Sequence, residues 1–248
     1  MTSGDDHGAA APVPRGTRPD TPDPAVVAAV FGDRADLAHR YAEHLATSAV
    51  ERGLVGPREV ERIWERHVLN CAVVGELLPQ GARVVDVGSG AGLPGLCLAL
   101  ARPDVAVTLV EPLERRTTWL TEVVDDLGID VRVVRGRAED VRGPGAEEVA
   151  PAEVVTARAV APLDRLARWC LPLVAPGGQL LAIKGRTAAD ELARTSAALR
   201  RAGATGWEVV TAGSGVLPVP TTVVRVRVAP GRRSGAGAGR RRHGEDHG

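Results

Sequence analysis

Lysine is almost absent from this chain. Of 248 residues one is lysine, Lys184, against thirty arginines. Alanine and valine are abundant beside the arginines, a bias that suggests drift toward GC-rich codons and marks the one retained lysine as a candidate functional residue. Aromatics are scarce, with one phenylalanine, one tyrosine and four tryptophans. That excludes a broad stacking platform for nucleic-acid bases and leaves the tryptophans for a single stack. The three cysteines, Cys71, Cys97 and Cys170, lie in apolar contexts without C-x-x-C spacing. They read as reduced core thiols of a cytoplasmic protein, with no metal site. No apolar run is long enough to span a bilayer, so no membrane association is expected. The N-terminus lacks the regions of a signal peptide. Net charge is zero, so any contact with nucleic acid must come from local basic patches.

What is present concentrates in one stretch, Arg83-Val84-Val85-Asp86-Val87-Gly88-Ser89-Gly90-Ala91-Gly92-Leu93-Pro94-Gly95. An apolar β-type run ends in an acid, glycines follow, and an apolar helical pattern begins at Leu96. Strand, glycine turn and helix N-terminus make a nucleotide-type site. Gly88 and Gly90 allow positive φ and close approach of the backbone to a ligand. Two patterns overlap here. Gly90 to Gly95 matches the dinucleotide fingerprint G-x-G-x-x-G. Asp86 to Gly92 matches the D/E-x-G-x-G-x-G loop of S-adenosylmethionine methyltransferases. The second gives the acid a purpose, since a carboxylate suits the sulfonium and ammonium of that cofactor and repels a pyrophosphate.

Residues 1–24, rich in proline, glycine, aspartate and alanine, read as a disordered arm, and residues 231–248 as a disordered basic tail. Residues 25–78 read as a helical cap. Val26, Val27, Val30 and Phe31 recur at helical spacing, as do Leu37, Tyr41 and Leu45. Gly53 and Gly56-Pro57 break the pattern, and Val60, Ile63, Trp64, His67 and Val68 resume it. Residues 79–230 form the cofactor-binding domain. Its predicted strands are 83–87, 105–110, 131–134, 153–157 and 179–183, and its predicted helices 93–101, 113–127, 163–174 and 187–202. A final hairpin is expected at 207–211 and 222–228. The fold class is α/β, a Rossmann-like, mainly parallel seven-stranded sheet, the plan of class I S-adenosylmethionine-dependent methyltransferases.

Strand ends mark the remaining candidates. Glu111 closes the second strand, where an acid accepts both ribose hydroxyls of an adenosine in either cofactor class. Ala138 and Glu139 follow the third strand, flanking an adenine or opening a short helix. Arg158 ends the fourth strand and is aimed into the crevice, unless it is a buried partner of Asp86 or Glu139. Missing signals matter too. No Asn/Asp-Pro-Pro-aromatic run follows the fourth strand, and Cys170 lies inside a helix pattern, a poor nucleophile. The acceptor is then a group with a free lone pair, such as guanine N7, which needs no general base.

These residues resemble the RsmG (GidB) family of 16S ribosomal RNA guanine-N7 methyltransferases, over about residues 40–228. The specific pieces are Glu65-Arg66-His67-Val68-Leu69-Asn70, the loop from Asp86 to Gly95, Thr156-Ala157-Arg158-Ala159 and Ile183-Lys184-Gly185. The resemblance implies cofactor contacts at Gly88, Leu93, Ala138, Glu139 and Arg158, which join Gly90 and Glu111. It implies 16S ribosomal RNA, in the small subunit or its precursor, as partner of a monomeric enzyme. Arg66, His67, Arg115, Arg116 and Lys184 are the RNA-facing candidates. Lys184 and Arg158 are expected at neighbouring strand ends beside the reacting centre, with Lys184 donating to guanine O6. The chain departs from the family at Asn70-Cys71, where an Asp-Ser pair is usual, and at Tyr41 to Thr47. A nicotinamide-linked oxidoreductase using Gly90 to Gly95 and a non-catalytic RNA-binding assembly factor are the competing readings.

Overall fold

The computed structural model describes residues 20–142 and 149–231. Most of the expected N-terminal arm and all but the first residue of the basic tail lie outside the described residues. Seven strands form one sheet: β1 Arg83–Val87, β2 Ala106–Glu111, β3 Val131–Arg135, β4 Ala152–Arg158, β5 Val174–Ile183, β6 Ala204–Ala212 and β7 Thr221–Val228. Their order is β3-β2-β1-β4-β5-β7-β6. β1 to β5 run parallel, and β7 is antiparallel to both β5 and β6. The central strands are apolar runs because helices cover both their faces. β1 lies between β2 and β4, the point where the winding reverses. Loops leaving the carboxyl ends of β1 and β4 therefore diverge and open a crevice.

Helices α5 Gly95–Ala101 and α6 Glu114–Leu127 cover one face, and α7 Leu163–Cys170 and α8 Ala188–Arg201 the other. The cap adds α1 Pro24–Phe31, α2 Ala35–Ala46 and α3 Ser48–Glu51 to the first face. Val27, Tyr41, Leu45, Ile63 and Val68 are fully buried there with Leu96, Leu100 and Trp119. Cap and sheet share one core.

Two segments differ from the sequence expectation. The helix predicted over 163–174 stops at Cys170, because Pro172 has no N–H to continue it. β5 begins at Val174, which pairs with Ala152 before a bulge shifts the register to Val154 and Gln179. The second half of the cap is not one regular helix. A tight turn spans Pro57–Arg62, a widened helix with i→i+5 bonds spans Ile63–Leu69, and one α turn, α4 Asn70–Ala72, follows before a second tight turn at Val73–Leu77. Widened turns of this kind free carbonyls for other donors and concentrate at functional sites.

Candidate active site

A cavity of about 640 Å³ opens at the carboxyl ends of β1, β2, β3 and β4. Its floor is the glycine loop. Gly88 has φ +71°, and a Cβ there would lie 2.8 Å from Val160 Cγ2. Only glycine fits both the conformation and the space. The cap reaches into the loop, since the Tyr41 hydroxyl donates to Ala91 O at 2.6 Å from a fully buried position.

The loop amides face inward. Gly88 and Ser89 N–H donate to Val110 O, and Gly92 and Leu93 N–H donate to Ser89 O. Gly90 N–H donates to Glu111 Oε2 at 3.0 Å, and Gly95 N–H to Asp86 Oδ2 at 3.0 Å. A phosphate cradle needs these donors pointing outward. Here the Asp86 carboxylate, buried behind the loop, takes the Gly95 N–H at the helix N-terminus, so that donor is not free for a pyrophosphate. This geometry counts against the dinucleotide reading of Gly90 to Gly95.

It also corrects the purpose assigned to Asp86. That residue is fully buried and does not line the cavity, so it is not placed to face a cofactor cation. It braces α5 against the sheet, and a Cβ on Gly95 would lie 2.8 Å from its Oδ2. Burial pushes its pKa up to about 7, partly offset by the Gly95 N–H. Its Oδ1 has no hydrogen-bond partner among the described residues.

Glu111 lines the cavity, 1% exposed at the end of β2. Besides Gly90 it accepts from Leu113 N–H at 3.1 Å, and Arg116 Nη1 lies 3.6 Å away. At the opposite end a relay crosses from cap to sheet. Arg158 Nη2 donates to His67 Nδ1 at 2.6 Å and to Arg66 O at 3.1 Å, and Nη1 donates to Cys71 Sγ at 3.0 Å. The Arg66 carbonyl belongs to the widened turn. His67 Nε2 is 2.9 Å from Glu59 Oε2. Because Nδ1 accepts from Arg158, the proton sits on Nε2 and is donated to Glu59. Burial and then the Arg158 charge lower the His67 pKa to about 4, against the pull of Glu59. His67 is therefore neutral near pH 7 with both nitrogens engaged.

The cavity brings together Gly88, Gly90, Leu93, Glu111, Ala138, Glu139 and Arg158, with His67 and Arg116 from the RNA-facing set. Arg66 stands outside it, its side chain half-exposed, and Arg115 is exposed. Lys184 does not reach it, contrary to expectation. Its Nζ donates to Ala161 O and Glu191 Oε1, each at 3.0 Å, and it is held away from the centre by that ion pair. Sequence reasoning missed Glu59, Leu54 to Gly56, Val160 and Trp169, which also line the cavity. Of these only Glu59 carries a chemical signal, an acid upstream of Arg66-His67. Asn70, at a departure from the family pattern, ties cap to sheet, donating to Thr221 Oγ1 at 2.8 Å.

The family model "GidB: rRNA small subunit methyltransferase G" matches residues 34–215. A protein of that name, ribosomal RNA small subunit methyltransferase G, from Rhodococcus jostii is 58% identical over 204 residues, covering 82% of this chain and 89% of the relative. Its namesake from Renibacterium salmoninarum is 59% identical over 204 residues, covering 82% and 94%. Among solved structures, an O-methyltransferase family protein from Burkholderia thailandensis matches with TM-score 0.50 and 18% identity, over 82% of this chain and 64% of that one. At that identity the likeness concerns the fold alone.

Proposed function

Since the chain belongs to the GidB family of small-subunit ribosomal RNA methyltransferases, we propose that it moves a methyl group from S-adenosyl-L-methionine to N7 of one guanine in 16S ribosomal RNA. The observation that carries the reading is the loop whose amides are turned inward, beside a buried carboxylate at the end of β2. Such a loop suits an adenosine cofactor without phosphates. Gly88, Gly90 and Leu93 would face the methionine part, Glu111 would accept the ribose hydroxyls, and Ala138 and Glu139 would flank the adenine. Arg158 would offer its remaining donors to the carboxylate of the methionine moiety. When bound, the cofactor supplies an electrophilic methyl group.

The chain's own residues then bind and orient. Guanine N7 carries a free lone pair and loses no proton on methylation, so no general base is required. The relay fits that demand: His67, the histidine lining the cavity, has both nitrogens committed, to Arg158 and Glu59. Its task is to hold the guanidinium. Catalysis rests on proximity and alignment, a source of rate worth up to about 7–11 kcal/mol in well-oriented systems.

The test is to map N7-methylguanosine in ribosomal RNA from cells with and without the protein, and to restore it with purified protein and labelled cofactor. Loss of one modified guanine in 16S RNA, restored in vitro, is the expected result. An unchanged modification pattern overturns the proposal.

A further inference from the structure

The turn that follows β4 is held in a conformation it would not adopt alone. Ala159 has φ +54°, a left-handed value that a non-glycine residue adopts only under strain. Beside it Val160 leans over Gly88 and stays 36% exposed at the cavity wall. The contacts that fix this turn come from below. Lys184 Nζ donates to Ala161 O and to Glu191 Oε1, each at 3.0 Å. The same Oε1 accepts from Leu163 N–H, the first residue of α7, at 2.7 Å. The two side chains are 14% and 20% exposed. The base of the assembly is tied to the sheet, since the Lys184 N–H donates to Thr222 O in β7.

We propose that Lys184 and Glu191 are a pair of positioning residues that clamp the turn from Ala159 to Pro162 and so set Val160 as a wall of the methyl-acceptor site. The inference rests on the methyl-transfer reading above. Neither side chain reaches the cavity, so neither touches the reacting atoms; both act through the turn. The chemistry requires both partners. One carboxylate oxygen takes the Leu163 amide and the lysine ammonium together. The lysine in turn satisfies the Ala161 carbonyl. Removing either leaves a shielded charge and an unpaired backbone group at the site's edge.

Single-turnover methylation of 30S subunits by wild type, Lys184→Met, Glu191→Met and the double variant, at two salt concentrations, tests the clamp. Amide hydrogen exchange at Leu163 is measured alongside. Each single variant should lose about 10–100-fold in the rate of transfer, as expected for a displaced wall. The cofactor KM should stay within about threefold of wild type. The double variant should be no worse than the poorer single. The losses should be equal at both salts, and Leu163 exchange should quicken in every variant. Ala159→Gly added to Lys184→Met should recover activity, because glycine takes the left-handed φ without strain. Wild-type turnover in Glu191→Met beside a crippled Lys184→Met would overturn the clamp. So would losses that sit in the RNA KM and vanish at low salt, since these mark a phosphate contact. Inactive wild type would count against the methyl-transfer reading only. Leu163 exchange would still judge the clamp, and unchanged protection in the variants would reject it.

Discussion

Asp86 shows how far a single residue can be read from its neighbours in sequence. Its place before Gly88-Ser89-Gly90 identifies the loop, and the structure keeps that loop where it was expected. The reason for the acid is different: it is fully buried and accepts from the α5 N-terminus. No pattern of spacing distinguishes an acid facing a ligand from one facing a helix. Its burial leaves a signature in stability. The folded pKa is raised from 3.8 to about 7, so between those values the folded state holds a proton that the unfolded state has lost. Stability contributed at this site therefore falls as pH rises from about 4 to about 7, then levels off. The span is of order 4 kcal/mol at most. Asp86→Asn removes the titration. Denaturant unfolding at pH 5 and pH 8 should show the variant gaining on wild type by about 1–4 kcal/mol at the higher pH. Parallel pH profiles for the two proteins would contradict this account.

At the scale of elements, alternating strands and helices were legible because buried parallel strands are continuous apolar runs bounded by turns. β1, at 83–87, lies where the pattern put it. The early part of β5 was not legible. Val174-Ala175-Pro176-Gly177-Gly178 reads as a break, and its neighbours make it a strand: Val174 pairs with Ala152 of β4, and Gly177 N–H donates to Ala229 O. The widened turn Ile63–Leu69 was hidden for another reason. Ile63, Trp64, His67 and Val68 satisfy helical spacing whether the bonds close at i+4 or i+5. The choice is tertiary, and it presents Arg66 O to Arg158. Glu59 could not be placed for the same reason, since its partner His67 sits on that turn. The cap therefore builds the site as well as covering it, and Tyr41 tests this. Its hydroxyl is the donor to Ala91 O in the glycine loop. Tyr41→Phe keeps the packing and leaves a buried carbonyl unpaired, at a cost of about 1–3 kcal/mol. Part of that loss should appear as weaker cofactor binding by calorimetry, with the circular dichroism unchanged. A stability loss with undiminished cofactor affinity would mean the cap only covers the loop.

For the whole molecule the balance of charge matters most. A net charge of zero gives no long-range pull on RNA, so attraction has to be local to the site. On the proposed reading the cap's arginines would supply it at the cavity's lip. Arg58, Arg62 and Arg66 are exposed on the stretch whose Glu59 and His67 line the cavity. Arg62 and Arg66 have side chains 53% and 52% exposed. Glu65 lies 4.0 Å from Arg62, and Glu59, itself bonded to His67, lies 3.5 Å from Arg66; ion pairs this long and this exposed hold little of the arginines' charge against a polyanion. Each arginine that meets a phosphate releases counterions and adds about 0.7–0.9 to the slope of log affinity against log salt. Arg62→Ala with Arg66→Ala should then weaken association with 30S subunits and lower that slope by about 1–2. Cofactor affinity should not change, because Arg158 is held by the Arg66 main-chain carbonyl, which alanine retains. Filter binding across a salt series, with calorimetry for the cofactor, measures both. An unaltered slope would move the RNA to another face of the molecule, and a lost cofactor affinity would make these arginines part of the relay.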